Sequence, residues 1–323
     1  MRSNRRQVLT ALAASGVALA GCVSENSNGN GDDDDDGNGG ATGDPPESKL
    51  PDEPFPEGCP TYDGVDRVIC YGAVDAEDMP AILEPSAREI GEGDPLTLTL
   101  RNQSEDPLQT NFYNWRLSKR VDGEWFWIEP REWPEPLMTL EPGKNHEWTL
   151  TIDNESIESE PITGTMGTGE LDFEGLGGGH YAFRGRGRFE GETYDDTYGF
   201  AATFKFDSDF IKLTPTDEIE ETEWDGDTLV AHSSRGDPES HTLGAFELQR
   251  LDEHVGETET VITEKLIRND QRRDTVALAE TYDADHVRLE EYSSTVPIFG
   301  SRSDGVFEYQ GTYYEVSTRE IEE

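Results

Sequence analysis

Apolar and polar positions alternate most plainly between Pro95 and Asp153. Leu96, Leu98 and Leu100 interleave with Thr97 and Thr99, the period of a strand with one wet face. Tyr113, Trp115 and Leu117 repeat that period, and Val121-Asp122-Gly123-Glu124 carries the Asp-Gly pair of a hairpin turn. Trp125 to Ile128 runs back. After the turn Glu141-Pro142-Gly143-Lys144, Trp148, Leu150 and Ile152 alternate with Glu147, Thr149 and Thr151. Ala87 to Ile90 starts the series. Gly177-Gly178-Gly179 leads into Tyr181, Phe183 and Gly185, and Phe200, Ala202, Phe204 and Phe206 end it. About seven strands over 82–208 is the count of an immunoglobulin-type sandwich.

The pattern changes beyond that point. Residues 209–227 read as an acidic connector, with Glu218-Ile219-Glu220-Glu221 and Trp224 inside it. In 228–323, Val261, Ile262, Lys265 and Leu266 follow helical spacing. Val276, Leu278, Ala279 and Tyr282 predict a second helix after a polar break at Asn269 to Arg273. His286 to Tyr292 and Val306 to Val316 alternate as strands. The fold class expected is mainly β: an immunoglobulin-like β-sandwich followed by a small α+β domain with helices on an antiparallel sheet.

Charge narrows the setting. Seventy Asp and Glu stand against 26 Lys and Arg, a formal net charge of -44. Such a surface repels nucleic acid and anionic headgroups. Aromatic residues at 9% and well-patterned strands argue for a folded chain rather than a disordered one. The composition resembles that of secreted proteins of extremely halophilic archaea, whose acidic surfaces stay hydrated where screening lengths are about 3 Å at 1 M salt.

Residues 1–22 read as an address. Arg5-Arg6-Gln7-Val8-Leu9 resembles the twin-arginine signal, Val8 to Ala20 is a short apolar run, and Leu19-Ala20-Gly21-Cys22 resembles a lipobox. That resemblance implies a lipid on Cys22 and a cell-membrane location on the extracellular face; one acyl chain binds marginally, so two are expected. Residues 23–50, rich in Gly, Asn and Asp with the run Asp32 to Asp36, read as a disordered, self-repelling tether. Residues 51–81 form an N-terminal extension. There Cys59 and Cys70 read as a disulfide ahead of two free or metal-bound thiols, and Val68-Ile69 as a short edge strand.

The strand at Leu96 to Arg101, the aromatic hairpin through Asp122-Gly123, the Leu140-Glu141-Pro142-Gly143 turn, the strand Trp148 to Ile152 and Gly179-His180-Tyr181 together resemble a bacterial immunoglobulin-like domain. The family includes the intracellular proteinase inhibitor of bacilli. The resemblance covers roughly 82–208 and rests on turn and core positions, so it implies the fold; no reactive-site residue matches, and inhibition is not carried over. Residues 228–323 resemble C-terminal domains of haloarchaeal lipoproteins, which implies no activity.

Candidate chemistry is sparse. The six histidines include no i, i+4 pair, and no metal or cofactor is expected. His232 and His241 bracket Ser233-Ser234-Arg235-Gly236-Asp237, but no Gly-x-Ser-x-Gly elbow is present, so a hydrolase is the lesser reading and a polar turn the greater. Trp115, Trp125, Trp127 and Trp133 exceed what one sandwich core needs and form a candidate binding surface. Asn102-Gln103-Ser104 and Asn154-Glu155-Ser156 match the glycosylation pattern. The expectation is a lipid-anchored surface protein that binds or scaffolds an envelope protein or glycan, touches no nucleic acid and catalyses nothing. A secreted protease inhibitor or regulator and a C-terminal hydrolase are the alternatives.

Overall fold

Side chains that alternate in sequence need a second sheet to cover their apolar face, and the chain supplies one. The computed structural model describes residues 55–61, 64–154, 167–193, 196–301 and 303–322. Arg5, Arg6, Cys22, the tether 23–50 and most of the loop after Asn154 lie outside the described residues. Twelve strands precede Asp207: β1 (Arg67–Cys70), β2 (Ala81–Pro85), β3 (Glu89–Ile90), β4 (Leu96–Asn102), β5 (Leu108–Thr110), β6 (Arg116–Val121), β7 (Glu124–Glu129), β8 (Met138–Leu140), β9 (Asn145–Ile152), β10 (Glu170–Phe173), β11 (Gly179–Phe189) and β12 (Tyr198–Phe206). An eight-stranded sheet runs β1-β12-β11-β5-β8, with β3 on β12 and the β6–β7 hairpin on β11; a four-stranded sheet runs β10-β9-β4-β2.

The strands outnumber the seven read from periodicity. β3, β5 and β8 are two or three residues long, too short for a period of two to register. The β6–β7 turn puts Asp122 at φ 51° and Gly123 at φ 91°, the paired left-handed residues that a twisted two-residue hairpin demands. Both sheets contribute to one core. Within it Trp115 stacks on Phe183 at 5.6 Å and meets Phe173 edge-on, also at 5.6 Å. Trp148 donates its Nε1–H to Phe112 O at 3.1 Å, which satisfies its polar atom in the dark interior.

On β9, His146 lies flat on Phe112 at 3.8 Å and edge-on to Trp148 at 4.5 Å. Burial lowers its pKa from the ordinary 6.5, and its Nε2 has no partner. The unfolded chain therefore takes up this proton first, and stability is lost as pH falls through about 6.5. The urea midpoint is expected to drop between pH 7.5 and pH 5.5, and to drop less in His146→Phe. Equal drops would exclude His146 as the source.

The second half builds on β13 (Ile219–Asp225), β14 (Thr228–Ser233), β15 (Thr242–Leu251), β16 (Glu259–Thr260), α1 (Thr263–Leu266), α2 (Asp270–Tyr282), β17 (His286–Ser293), β18 (Gly305–Tyr309) and β19 (Thr312–Glu320). The sheet order is β13-β14-β17-β15-β19-β18-β16. The mainly β reading with few helices holds. Two local readings change. Asn269, read as part of a break, is the N-cap of α2, its side chain accepting from Arg272 N at 3.0 Å, and Asp270 to Arg273 form the first turn. The acidic stretch 209–227 is not only a connector: Leu213 is buried in the second core, and Ile219–Asp225 is an edge strand. Its side chains are mostly exposed on both faces, so its alternation carries no apolar signal.

The halves share more than a linker. Ile262, just before α1, is buried in the sandwich core. Lys119 of β6 donates to Glu264 Oε1 at 2.5 Å and to Gly177 O at 3.1 Å, while Gly177 N donates to the same carboxylate at 3.2 Å. Arg268 donates to Glu129 Oε1 at 2.8 Å, to Gly175 O at 3.0 Å and to Glu174 O at 2.6 Å. Burial pushes the Glu129 carboxyl above, and the Arg268 guanidinium below, its ordinary value. A Cβ on Gly178 would stand 1.9 Å from Ser208 O, so only glycine lets the chain pass here.

Candidate functional site

A broad opening lies on the rim of the eight-stranded sheet. Register places it: β11 pairs with β5 so that Gly187 faces Thr110 and Arg188 faces Gln109. Thr110 donates its hydroxyl to Arg186 O at 2.6 Å, closing the floor. The loop after β5 turns at Asn111, whose Oδ1 accepts from Tyr113 N at 2.9 Å and whose Nδ2 donates to Pro134 O at 2.7 Å. This second bond fastens the Pro134 to Leu137 segment as a wall. Gly64 to Asp66 and Thr197 close the far side, with Thr197 N donating to Asp66 Oδ2 at 3.1 Å. The cavity measures about 900 Å³, a size that accepts an organic ligand rather than a single ion.

Its lining mixes polar and apolar surface, with planar amide and guanidinium groups among the polar ones. Arg188 donates to Gln109 Oε1 at 2.7 Å. Asn114, its amide oriented by the guanidinium, accepts from Arg186 Nε and Nη2 at 3.1 Å each. Arg186 makes no ion pair among the described residues. Leu137, 74% exposed, supplies an apolar lip.

Beside the Pro134 wall, the Arg116 guanidinium sits 4.5 Å from the centre of the Trp127 ring and 5.4 Å from that of Trp133. The two indoles meet edge to face at 6.0 Å. Trp125 lies under Arg120 at 6.0 Å. The four-tryptophan surface is therefore three: Trp125, Trp127 and Trp133 are partly exposed, whereas Trp115 is fully buried and donates its Nε1–H to Gly167 O. The physical reason is register, which turns Trp115 into the sandwich.

No protein-family model matches this chain, and no curated protein does. Solved structures give distant likenesses. Spo0M, the sporulation control protein of Bacillus subtilis, is similar at 12% identity and a TM-score of 0.21, covering 40% of this chain and 50% of its own. The native conformation of Escherichia coli alpha-2-macroglobulin is similar at 16% identity and a TM-score of 0.22, covering 53% and 9%. Its segment from domain MG7 to the C-terminus gives 15% and 0.23, covering 52% and 23%. The chain spans half or less of the length of each. Likenesses at these TM-scores carry no argument about function.

The other sequence candidates fall into place separately. Cys59 and Cys70 are joined in a disulfide beside β1. Asn102 is 1% exposed, and its Nδ2 donates to Asp106 O and Leu140 O at 2.8 Å each. An amide so enclosed is a structural clamp, and the glycosylation reading at Asn102 is withdrawn on that ground. Asn154 Nδ2 donates to Leu176 O at 2.9 Å while its Oδ1 accepts from Gly175 N at 3.0 Å, so a glycan there would break the tie that seats this loop; Glu155 and Ser156 of that sequon lie outside the described residues.

Ser234 hydrogen-bonds the Glu218 carboxylate, and His241 Nδ1 accepts from Asp237 N at 3.0 Å within a tight turn. Both are thus engaged in turn-building contacts. Arg235 between them donates to Asp274 and Glu291 at 2.6 Å each, pinning the segment to α2 and β17. Among the described residues no cluster of three His, Cys, Asp or Glu side chains has metal-binding geometry, and no helix is long and apolar enough to cross a membrane.

Sequence reasoning missed the groove and Arg186. One signal was present: Arg184-Gly185-Arg186-Gly187-Arg188 sets three cations at strand spacing, hence on one face, in a chain poor in cations.

Proposed function

We propose that this protein is a recognition module of a cell surface, held to the membrane by lipid on Cys22 and exported by its twin-arginine address from a halophilic archaeon. It binds and does not transform. Its ligand lies in the rim groove between Gln109 to Asn114 and Arg186 to Arg188, with the Trp127–Trp133 pair as the neighbouring platform. The observation that carries this reading is the groove itself: about 900 Å³ lined by amide, guanidinium, hydroxyl and carboxylate side chains beside an aromatic pair. Planar amides and guanidinium groups with aromatic neighbours are what hydroxyl-bearing or peptide ligands need for orientation.

The test is binding of the full-length protein to a panel of neutral oligosaccharides, acidic oligosaccharides and envelope proteins, beside a Gln109→Trp variant that fills the groove. Saturable binding that the variant loses at least tenfold, with ligands recovered chemically unchanged, is the expected result. Undiminished binding by the variant would move the site elsewhere, and cleaved ligand would make the protein an enzyme.

A further inference from the structure

We infer that the rim groove is built for a carboxylated sugar, with Arg186 as the residue that selects the carboxylate. The inference rests on the groove reading above and names its ligand class.

Arg186 uses its Nε and Nη2 edge on Asn114, at 3.1 Å each. That leaves the Nη1 end beside Gly64, where an added Cβ would stand 3.7 Å from Nη1. Asn114 thus orients the guanidinium while its outer donors stay available, and among the described residues no carboxylate forms an ion pair with it. A planar fork so held can take a carboxylate or a phosphate through two parallel hydrogen bonds, and the rest of the lining decides between them.

The remaining lining sets the rest of the ligand. Asp66 and Glu135 also face the cavity. A multiply charged anion such as a phosphate ester or a sulfate cluster would meet those carboxylates at a cost. A sugar acid bears less of that cost, because each ring carries a single carboxylate amid several neutral hydroxyls: the carboxylate meets Arg186, and the hydroxyls donate to Asp66 and Glu135 and exchange hydrogen bonds with the Gln109 and Asn111 amides. Leu137 and Pro136 offer an apolar strip to the C–H face of a pyranose ring. The net charge of -44 works against approach of any anion, so recognition must be short-ranged and made by these contacts.

The test is isothermal titration of the full-length protein, wild type and Arg186→Gln and Arg186→Lys, with tetragalacturonate, its full methyl ester, neutral galactotetraose and a tetraglutamate peptide. The wild type is expected to bind tetragalacturonate about tenfold or more tighter than the ester or the neutral sugar, a gain on the scale of a charge-assisted bidentate contact. Arg186→Gln should erase that preference, and Arg186→Lys should restore part of it. The ester asks the same question from the ligand side, so the answer does not depend on the variants folding. Equal binding of acid, ester and neutral sugar overturns the carboxylate assignment and leaves the groove reading standing. Tetraglutamate binding as tightly as tetragalacturonate overturns the sugar assignment. Failure of all four ligands overturns the inference, and the Gln109→Trp comparison on the broader panel then decides separately whether the groove is a site.

Discussion

Arg268→Ala is expected to lose about 3–5 kcal/mol of stability, the range for removing one partner of a buried ion pair. The side chains of Arg268 and Glu129 are 0% and 1% exposed, and they meet at 2.8 Å. Truncation leaves a carboxylate in the dark with its Oε2 already unpartnered. It also strips donors from Gly175 O, Glu174 O and Glu264 O. The pair itself is a different matter, because desolvation opposes both charges. Glu129→Leu with Arg268→Met should therefore recover most of the loss, although three carbonyls stay unmet. Urea unfolding of the single and double variants reads this directly. A single variant within about 1 kcal/mol of wild type would mean the seam contributes no more than surface ion pairs do.

Asp274→Ala should be comparably severe, again about 3–5 kcal/mol, and for a related reason. Asp274 is 0% exposed. It accepts from Thr216 N at 2.6 Å, from Thr216 Oγ1 at 3.0 Å and from Arg235 Nη2 at 2.6 Å. One carboxylate on α2 thus fixes the chain entering the second sheet and the turn leaving β14. Without it the Arg235 guanidinium keeps only Glu291 and Thr216 Oγ1. Hydrogen exchange should rise at Ile219–Asp225, the edge strand that follows Thr216, before it rises in the sandwich. Loss of stability with no change in that strand would place the role of Asp274 elsewhere.

The sequence showed most clearly what one wet face makes visible. Leu96 to Leu100 and Trp148 to Ile152 sit where they were expected because polar and apolar side chains alternate strictly there. β13 escaped because an edge strand with solvent on both sides has no apolar period to display. The short strands β3, β5 and β8 escaped by length. The buried seam was invisible for another reason. Lys119, Glu129, Glu264 and Arg268 look like the many surface charges of an acidic chain until the fold brings residues 139 and 145 positions apart within bonding distance. The groove is similar: Gly64, Gln109, Leu137 and Arg186 are remote in sequence and meet only through the pairing of Gly187 with Thr110. The alternating arginines of β11 were its one local trace.

The most direct measurement is hydrogen exchange of the full-length protein with and without saturating tetragalacturonate, with the mass of the sugar followed in the same samples. Protection confined to Gln109 to Asn114 and Arg186 to Arg188, with the sugar intact, is the predicted result. Protection on the seven-stranded sheet instead, or a sugar that shortens with time, would contradict it.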